Sequence, residues 1–244
     1  MDAAARLAGA PLRALFWAVG FSWLAAVAVD ALSLVHYQLH PFGAERFWRA
    51  WWDPAHPLNL VAWGGLMLVG YAALRADLHR LDIVALAAPA GALSRPIVVI
   101  AVLAVAADWV ASGLIEQAAL AVTGQDDLPA YRPGYAFEVT RENAFGDLFS
   151  GVVAAPLFEE LAFRGLLLGC LLARGWNPVA AVVAVAVIFG LTHTQYYFSG
   201  MLMVIASGLI FGALRILTGG LAAPTLAHAL SNLSISLQEM LFPA

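Results

Sequence analysis

Long uncharged apolar runs alternate with short polar or aromatic joints along most of this chain. Crossing a hydrocarbon core of about 30 Å takes roughly 20 mostly apolar residues in a helix. Seven runs meet that pattern, near 12–35, 58–74, 97–123, 147–173, 178–197, 201–218 and 222–242. The first runs from Leu12 to Val29 with no charge after Arg13 and carries Trp17 and Trp23. It suits a first span better than a cleaved signal peptide, which has a shorter apolar core and a small-residue cleavage site. The stretch from Asp82 to Arg95 is different. Its apolar part, Ile83 to Leu93, is too short to cross and holds Pro89 and Gly91, so an interfacial or re-entrant piece is expected; a distorted crossing would make eight spans. The fold class expected is all-α, a polytopic transmembrane helical bundle of seven or eight spans. It is read as one membrane domain: N-terminal helices over 1–146 and a core over 147–244.

Composition supports lipid as the solvent. Apolar residues make up 62% of 244, and only 11% carry formal charge, less than half the quarter usual for soluble domains. All 12 basic residues are arginine, and the net charge of -4 provides no basic stripe for nucleic acid. The single cysteine, Cys170, excludes an internal disulfide and a zinc-thiolate cluster. Arginine in short loops sets orientation. Arg6, Arg13, Arg75, Arg80, Arg95, Arg174 and Arg215 fall on one side, against Arg46, Arg49, Arg132 and Arg141 on the other, which puts the N-terminus in the cytoplasm. Between His36 and Pro57, the pairs Phe47/Trp48 and Trp51/Trp52 recur at helical spacing, as in a short helix at headgroup level.

An ionisable group at the centre of a spanning helix costs about 2.5–3.5 kcal/mol on insertion scales, so each needs a partner or a task. The run Ala154-Ala155-Pro156-Leu157-Phe158-Glu159-Glu160-Leu161-Ala162-Phe163-Arg164-Gly165 places three charges among apolar residues. Further along, Phe189-Gly190-Leu191-Thr192-His193 and His228-Ala229-Leu230-Ser231-Asn232 add two histidines and an asparagine. In an α-helix Glu160 and Arg164 lie about 40° apart and can pair, whereas Glu159 is turned about 100° from Glu160 and about 140° from Arg164. Arg164 with Glu160 then forms a structural ion pair, leaving Glu159 to face a polar cavity as a base for water. His228 and Asn232 share a face and can hold one water or one carbonyl oxygen. With His193 from a third helix, the set provides a base and oxyanion donors, as hydrolysis requires. Taken singly, a Glu–Arg pair is often only a clamp and a histidine only a polar contact; the conjunction on three segments favours a site. Asp108 and Glu116 are left to bundle-facing hydrogen bonds, and Arg215 to snorkelling at a helix end.

These residues resemble the motifs of the CPBP family, which comprises CAAX prenyl proteases, bacteriocin-processing enzymes and abortive-infection relatives. Glu159 to Arg164 is similar to E-E-x-x-x-R, Phe189 to His193 to F-x-x-x-H, and His228 to Asn232 to H-x-x-x-N. The resemblance covers about residues 147–242 and implies an all-helical intramembrane endopeptidase of a bacterial inner membrane. It implies that Glu159 activates water, that Glu160 belongs to the same catalytic set, that His193 and His228 are catalytic histidines and that Asn232 is the oxyanion partner. The implied partners are membrane lipid and a hydrophobic or lipid-linked protein or peptide: a C-terminal sorting signal, a leader peptide or a lipidated tail.

No cofactor is favoured. Zinc is the alternative, held by Glu159, His193 and His228, but neither histidine is followed by glutamate as in H-E-x-x-H. A serine enzyme with Gly-x-Ser-Gly fits less well, since Ala111-Ser112-Gly113 and Ala206-Ser207-Gly208 lack the first glycine. An aspartyl enzyme would rest on Asp30 and Asp108, and neither lies in Gly-x-Gly-Asp. Two other classes compete: a non-proteolytic immunity or scaffold protein of the same fold, and a proton-relaying transporter, for which half-chain repeats would be the sign.

Overall fold

Proline and glycine mark where the helices begin and end. Pro11, Pro96 and Pro178 sit in first turns, where a missing N–H costs nothing. Gly124 and Gly219 close helices in the left-handed region, at φ 67° and 70°. A computed structural model describes residues 2–24, 27, 56–89, 91, 93–125 and 139–242, and among these every extended element is helical. The elements are α1 (Ala3–Ala8), α2 (Pro11–Leu15, continued by a π-helical turn, Phe16–Gly20), α3 (Pro57–Arg80), α4 (Val84–Ala87) and α5 (Arg95–Thr123). Next comes a composite rod, α6, built end to end from Ala144–Asp147, Leu148–Ala154, Ala155–Glu159, Glu160–Leu167 and Leu168–Ala173. Then follow α7 (Pro178–Thr192), α8 (Phe198–Thr218) and α9 (Ala222–Leu241). The aromatic helix expected between His36 and Pro57 lies almost entirely outside the described residues, as do Asp30, Arg46, Arg49 and Arg132.

Among the described residues two helices, Arg95–Thr123 and Phe198–Thr218, are long and apolar enough to cross a membrane, against the seven or eight spans expected. A core helix of a soluble protein would pass the same test, but it would be mostly buried. Here only 17% and 33% of the most apolar window is buried. Val99, Val102, Leu103, Val110 and Leu114 on α5 all face outwards, an arrangement that water would penalise and lipid favours. Among the described residues between Asp82 and Arg95 the helix is the four-residue α4, too short to span.

The rod α6 is the hub. Its stretch from Glu160 to Cys170 is buried throughout, with α1, α2, α3, α4, α7 and α9 packed around it, while α5 lies further out against α8 and α9. The α6 core residues Phe158, Leu161, Leu166 and Leu168 share a cluster with Leu74 and Leu78 of α3 and Phe189 of α7. At Gly165 a side chain could not be accommodated: a Cβ there would lie 2.5 Å from the carbonyl oxygen of Ala87. That glycine lets α4 press against α6.

Two stretches of α6 are wound as π-helix, Leu148–Ala154 and Glu160–Leu167. The first precedes Pro156, which cannot donate to the carbonyl four residues back and whose ring crowds it. A wider turn relieves that crowding and frees backbone carbonyls for other donors. The second coincides with the charged segment, so the angular offsets expected from α-helical geometry do not apply unchanged there.

Candidate active site

Glu160 and Arg164 face each other within that π-helical stretch, with Arg164 Nη1 2.9 Å from Glu160 Oε1 and both side chains fully buried. A buried pair loses several kcal/mol of hydration per ion and survives only where its surroundings replace the water. Here the guanidinium lies over the ring of Phe189 at 4.2 Å and near that of Phe211 at 5.5 Å. Its Nη2 also donates to the Gly208 carbonyl at 3.4 Å. Among the described residues, Glu160 Oε2 and Arg164 Nε are buried with no hydrogen-bond partner.

The pair reaches a third helix. His228 of α9 places Nδ1 2.9 Å from the same Glu160 Oε1. A carboxylate paired with arginine can only accept, so Nδ1–H of His228 donates and, in the neutral ring, Nε2 keeps its lone pair. The imidazole stacks on Phe211 with ring centroids 5.1 Å apart and meets Phe189 edge-on at 6.0 Å. Glu160, Arg164 and two phenylalanines therefore fix its plane and tautomer.

Glu159 occupies a different environment. Its side chain is 19% exposed while that of Glu160 is 0%, and its Oε2 lies 3.9 Å from His228 Nε2, beyond direct hydrogen bonding. Of the two adjacent carboxylates, only Glu159 can meet water. His193 caps the C-terminus of α7 just after Thr192, so the helix ends before the expected residue 197. Its Nδ1–H donates to the Phe189 carbonyl at 2.8 Å, and its ring packs on Phe189 at 4.7 Å and parallel to Tyr196 at 6.1 Å. It is close enough to feel the charges of Glu159 and Arg164, and His228 is another of its electrostatic neighbours.

Asn232 is one turn beyond His228 on α9, and both face α6 as the spacing implies. They do not share one partner, however. Asn232 Nδ2 donates to the Gly151 carbonyl at 2.7 Å, an acceptor lying within the first π-helical stretch. One of its two N–H bonds is thereby used, and the second remains for another acceptor.

The alternative zinc set of Glu159, His193 and His228 is drawn from α6, the end of α7 and α9. Among the described residues no three His, Cys, Asp or Glu side chains are placed to hold one ion. Both imidazole Nδ1 atoms are committed, to Glu160 and to the Phe189 carbonyl, which leaves Nε2 of each ring as the atom that could bind a metal or a proton.

Other polar residues have partners that spacing did not reveal. Asp108 on α5, 5% exposed, accepts from Ser207 and Ser231, both at 2.6 Å, so the bundle-facing bonds expected of it form. Glu116 is exposed, so it does not face the bundle as expected. Arg215 lies in the last turn of α8, where its Nη2 reaches the Leu86 carbonyl at 3.4 Å while its Nε is buried. Asp147 at the head of α6 accepts from Ser236 of α9 at 2.6 Å. The Gly151 carbonyl and the ring of Phe211 had no sequence signal; Phe189 had one, as the first residue of its motif.

Fold and site together define a class: an all-helical bundle with outward apolar faces and a buried Glu–Arg–His cluster beside a second, accessible glutamate. Residues 141–234, the segment that carries the cluster, match the family model described as Rce1-like, type II CAAX prenyl endopeptidase Rce1-like, and to that extent resemble a protease family. The match contains all three motifs and agrees with the CPBP resemblance. No curated protein and no solved structure matches the chain significantly.

Proposed function

We propose that the protein is an intramembrane endopeptidase in which Glu159 is the general base for water. The observation that carries this is the contrast between adjacent carboxylates: Glu160 is locked by Arg164 and His228, while Glu159 is partly exposed with its Oε2 3.9 Å from His228 Nε2. A water roughly 2.8 Å from each atom would subtend about 90°, so one molecule can donate one O–H to each. Glu159 takes one proton as the water oxygen bonds to the peptide carbon, then delivers it to the amine nitrogen as the C–N bond breaks. The second N–H of Asn232 stabilises the oxyanion, and an imidazolium on His228 would add an Nε2–H donor with Glu160 behind it. Glu160 and Arg164 orient His228, and His193 Nε2 offers a further acceptor near Glu159. No step requires a metal.

In this reading residues 1–146 and 147–244 form one membrane domain of seven spans, with the segment after Asp82 re-entrant. The N-terminus lies in the cytoplasm and the chain sits in a bacterial inner membrane. The substrate is a membrane-associated protein or peptide cleaved at a sorting signal, leader or lipidated tail.

The test maps protein N- and C-termini in membrane and exported fractions of cells carrying the wild-type chain or Glu159→Gln. Removing a general base costs on the order of 10²–10⁴ in rate, so termini present with the wild type should vanish with the variant at equal membrane levels. Identical termini in both would overturn the assignment, and none dependent on the wild type would favour a scaffold. A chelator should leave cleavage intact; loss restored by zinc would overturn the metal-free step.

A further inference from the structure

Asp108 lies on α5, outside the segment matched to the protease family, yet both of its carboxylate oxygens are tied to helices of the site. Oδ1 accepts from Ser207 of α8 and Oδ2 from Ser231 of α9, each at 2.6 Å. Such short bonds from hydroxyl to carboxylate belong to the strong, charge-assisted kind. Ser231 immediately precedes Asn232 and follows His228 by three residues, so it sits within the polar face of α9. Ser207 immediately precedes Gly208, whose carbonyl accepts from Arg164, and lies one turn before Phe211, which stacks on His228. One carboxylate therefore sets the rotation of α8 and α9 about each other at the level where Phe211 meets His228. The adjacent Trp109 adds a parallel tie, its Nε1 donating to Ser234 at 2.9 Å.

We propose that Asp108 is a positioning residue for the site: through Ser231 and Ser207 it holds His228 at Glu160 and Asn232 in register with α6. This deepens the proteolytic reading and rests on it for the meaning of the site, although the coupling itself is a matter of geometry. A carboxylate tying two helices differs from a packing contact, because its loss leaves both free to turn. Displacing a reacting group by about 1 Å can cost 10²-fold in rate.

The experiment uses the full chain in lipid nanodiscs with ¹⁵N-labelled histidine, the His228 signals being assigned by their disappearance in His228→Gln. Their shifts report the tautomer and the bond from Nδ1 to Glu160. Asp108→Ala and Ser231→Ala should shift the His228 signals, and Asp108→Asn, which can still bridge both serines, should stay near the wild type. Leu74→Ala, a fully buried core truncation, should lower the thermal midpoint without moving them. On a quenched farnesylated peptide as probe, Ser231→Ala should lower kcat about 10- to 100-fold with KM unchanged. Unmoved His228 signals in both Ser231→Ala and Asp108→Ala, or in Ser231→Ala alone should Asp108→Ala not fold, overturn the proposal whatever happens to activity. Shifted signals in a protein that Glu159→Gln leaves fully active would sustain the positioning role and remove the catalytic reading.

Discussion

Two ion-pair clusters in this molecule use the same chemistry in opposite surroundings. Where α1 and α2 meet the end of α3, Arg13 pairs with Asp77 at 2.6 Å and Arg6 with Asp82 at 2.8 Å, with side chains between 18% and 91% exposed. Trp17 Nε1 also donates to Asp77 at 3.0 Å. At the centre of α6, Arg164 pairs with Glu160 at 2.9 Å with neither side chain exposed. Distance does not separate the two clusters; hydration does. Exposed pairs gain about 0–1 kcal/mol, so the outer cluster is a minor fastening. The inner one loses its hydration and has to be rebuilt from two phenylalanine faces, a carbonyl and a histidine. Apolar residues could fill that space at lower cost, which makes orientation of His228 the better reason for the pair.

The largest effect should come from breaking the inner pair on one side only. Arg164→Met leaves Glu160 buried without its cation, which costs about 3–5 kcal/mol. Thermal unfolding in nanodiscs should show a lowered midpoint or little folded protein. Adding Glu160→Leu should restore much of that stability, because no lone buried charge remains. Cleavage should stay absent in the double variant, since His228 has then lost the acceptor at Nδ1. A double variant no more stable than the single would mean that the pair itself holds the helices together.

How much of this was legible in the sequence depends on the kind of signal. Charges within apolar runs stand out by contrast, so Glu159, Glu160, Arg164, His193, His228 and Asn232 could be named from spacing alone. The Glu160–Arg164 contact was legible for the same reason: residues four apart on one helix meet wherever the helix goes. What joins different helices was not legible. Nothing in the spacing gives His228 to Glu160, Asn232 to the Gly151 carbonyl or Asp108 to Ser207 and Ser231, because these depend on how α5, α6, α8 and α9 cross. The π-helical turns were also hidden: the first precedes Pro156, and no residue pattern marks the second. Glu116 went the other way, because burial cannot be read from a charged residue's place in an apolar run.

A smaller effect on folding but a clear one on rate is expected at Asn232. Replacing it with alanine removes one hydrogen bond to Gly151, worth about 1 kcal/mol, and one proposed oxyanion donor, worth roughly 10²–10³ in kcat. Steady-state cleavage of the farnesylated probe, read beside the thermal midpoint, separates the two. If rate and stability fell in proportion, Asn232 would be a helix tie like Ser236 on Asp147.

The smallest effect should come from the outer cluster, and there the comparison is sharpest. A double-mutant cycle on Arg13→Ala and Asp77→Ala should give a coupling energy under about 1 kcal/mol. Salt should weaken it further, because at 0.15 M the screening length is about 8 Å and Arg13 is 44% exposed. Cleavage should be unchanged in all members of the cycle, since neither residue touches the Glu160–Arg164–His228 cluster. Asp77 also holds Trp17, so its single variant should cost more than that of Arg13. That excess belongs to the tryptophan and should persist when Arg13 is already alanine. A salt-independent coupling of several kcal/mol would instead mean that burial does not divide the two clusters, and the argument for orientation at Arg164 would lose its reference.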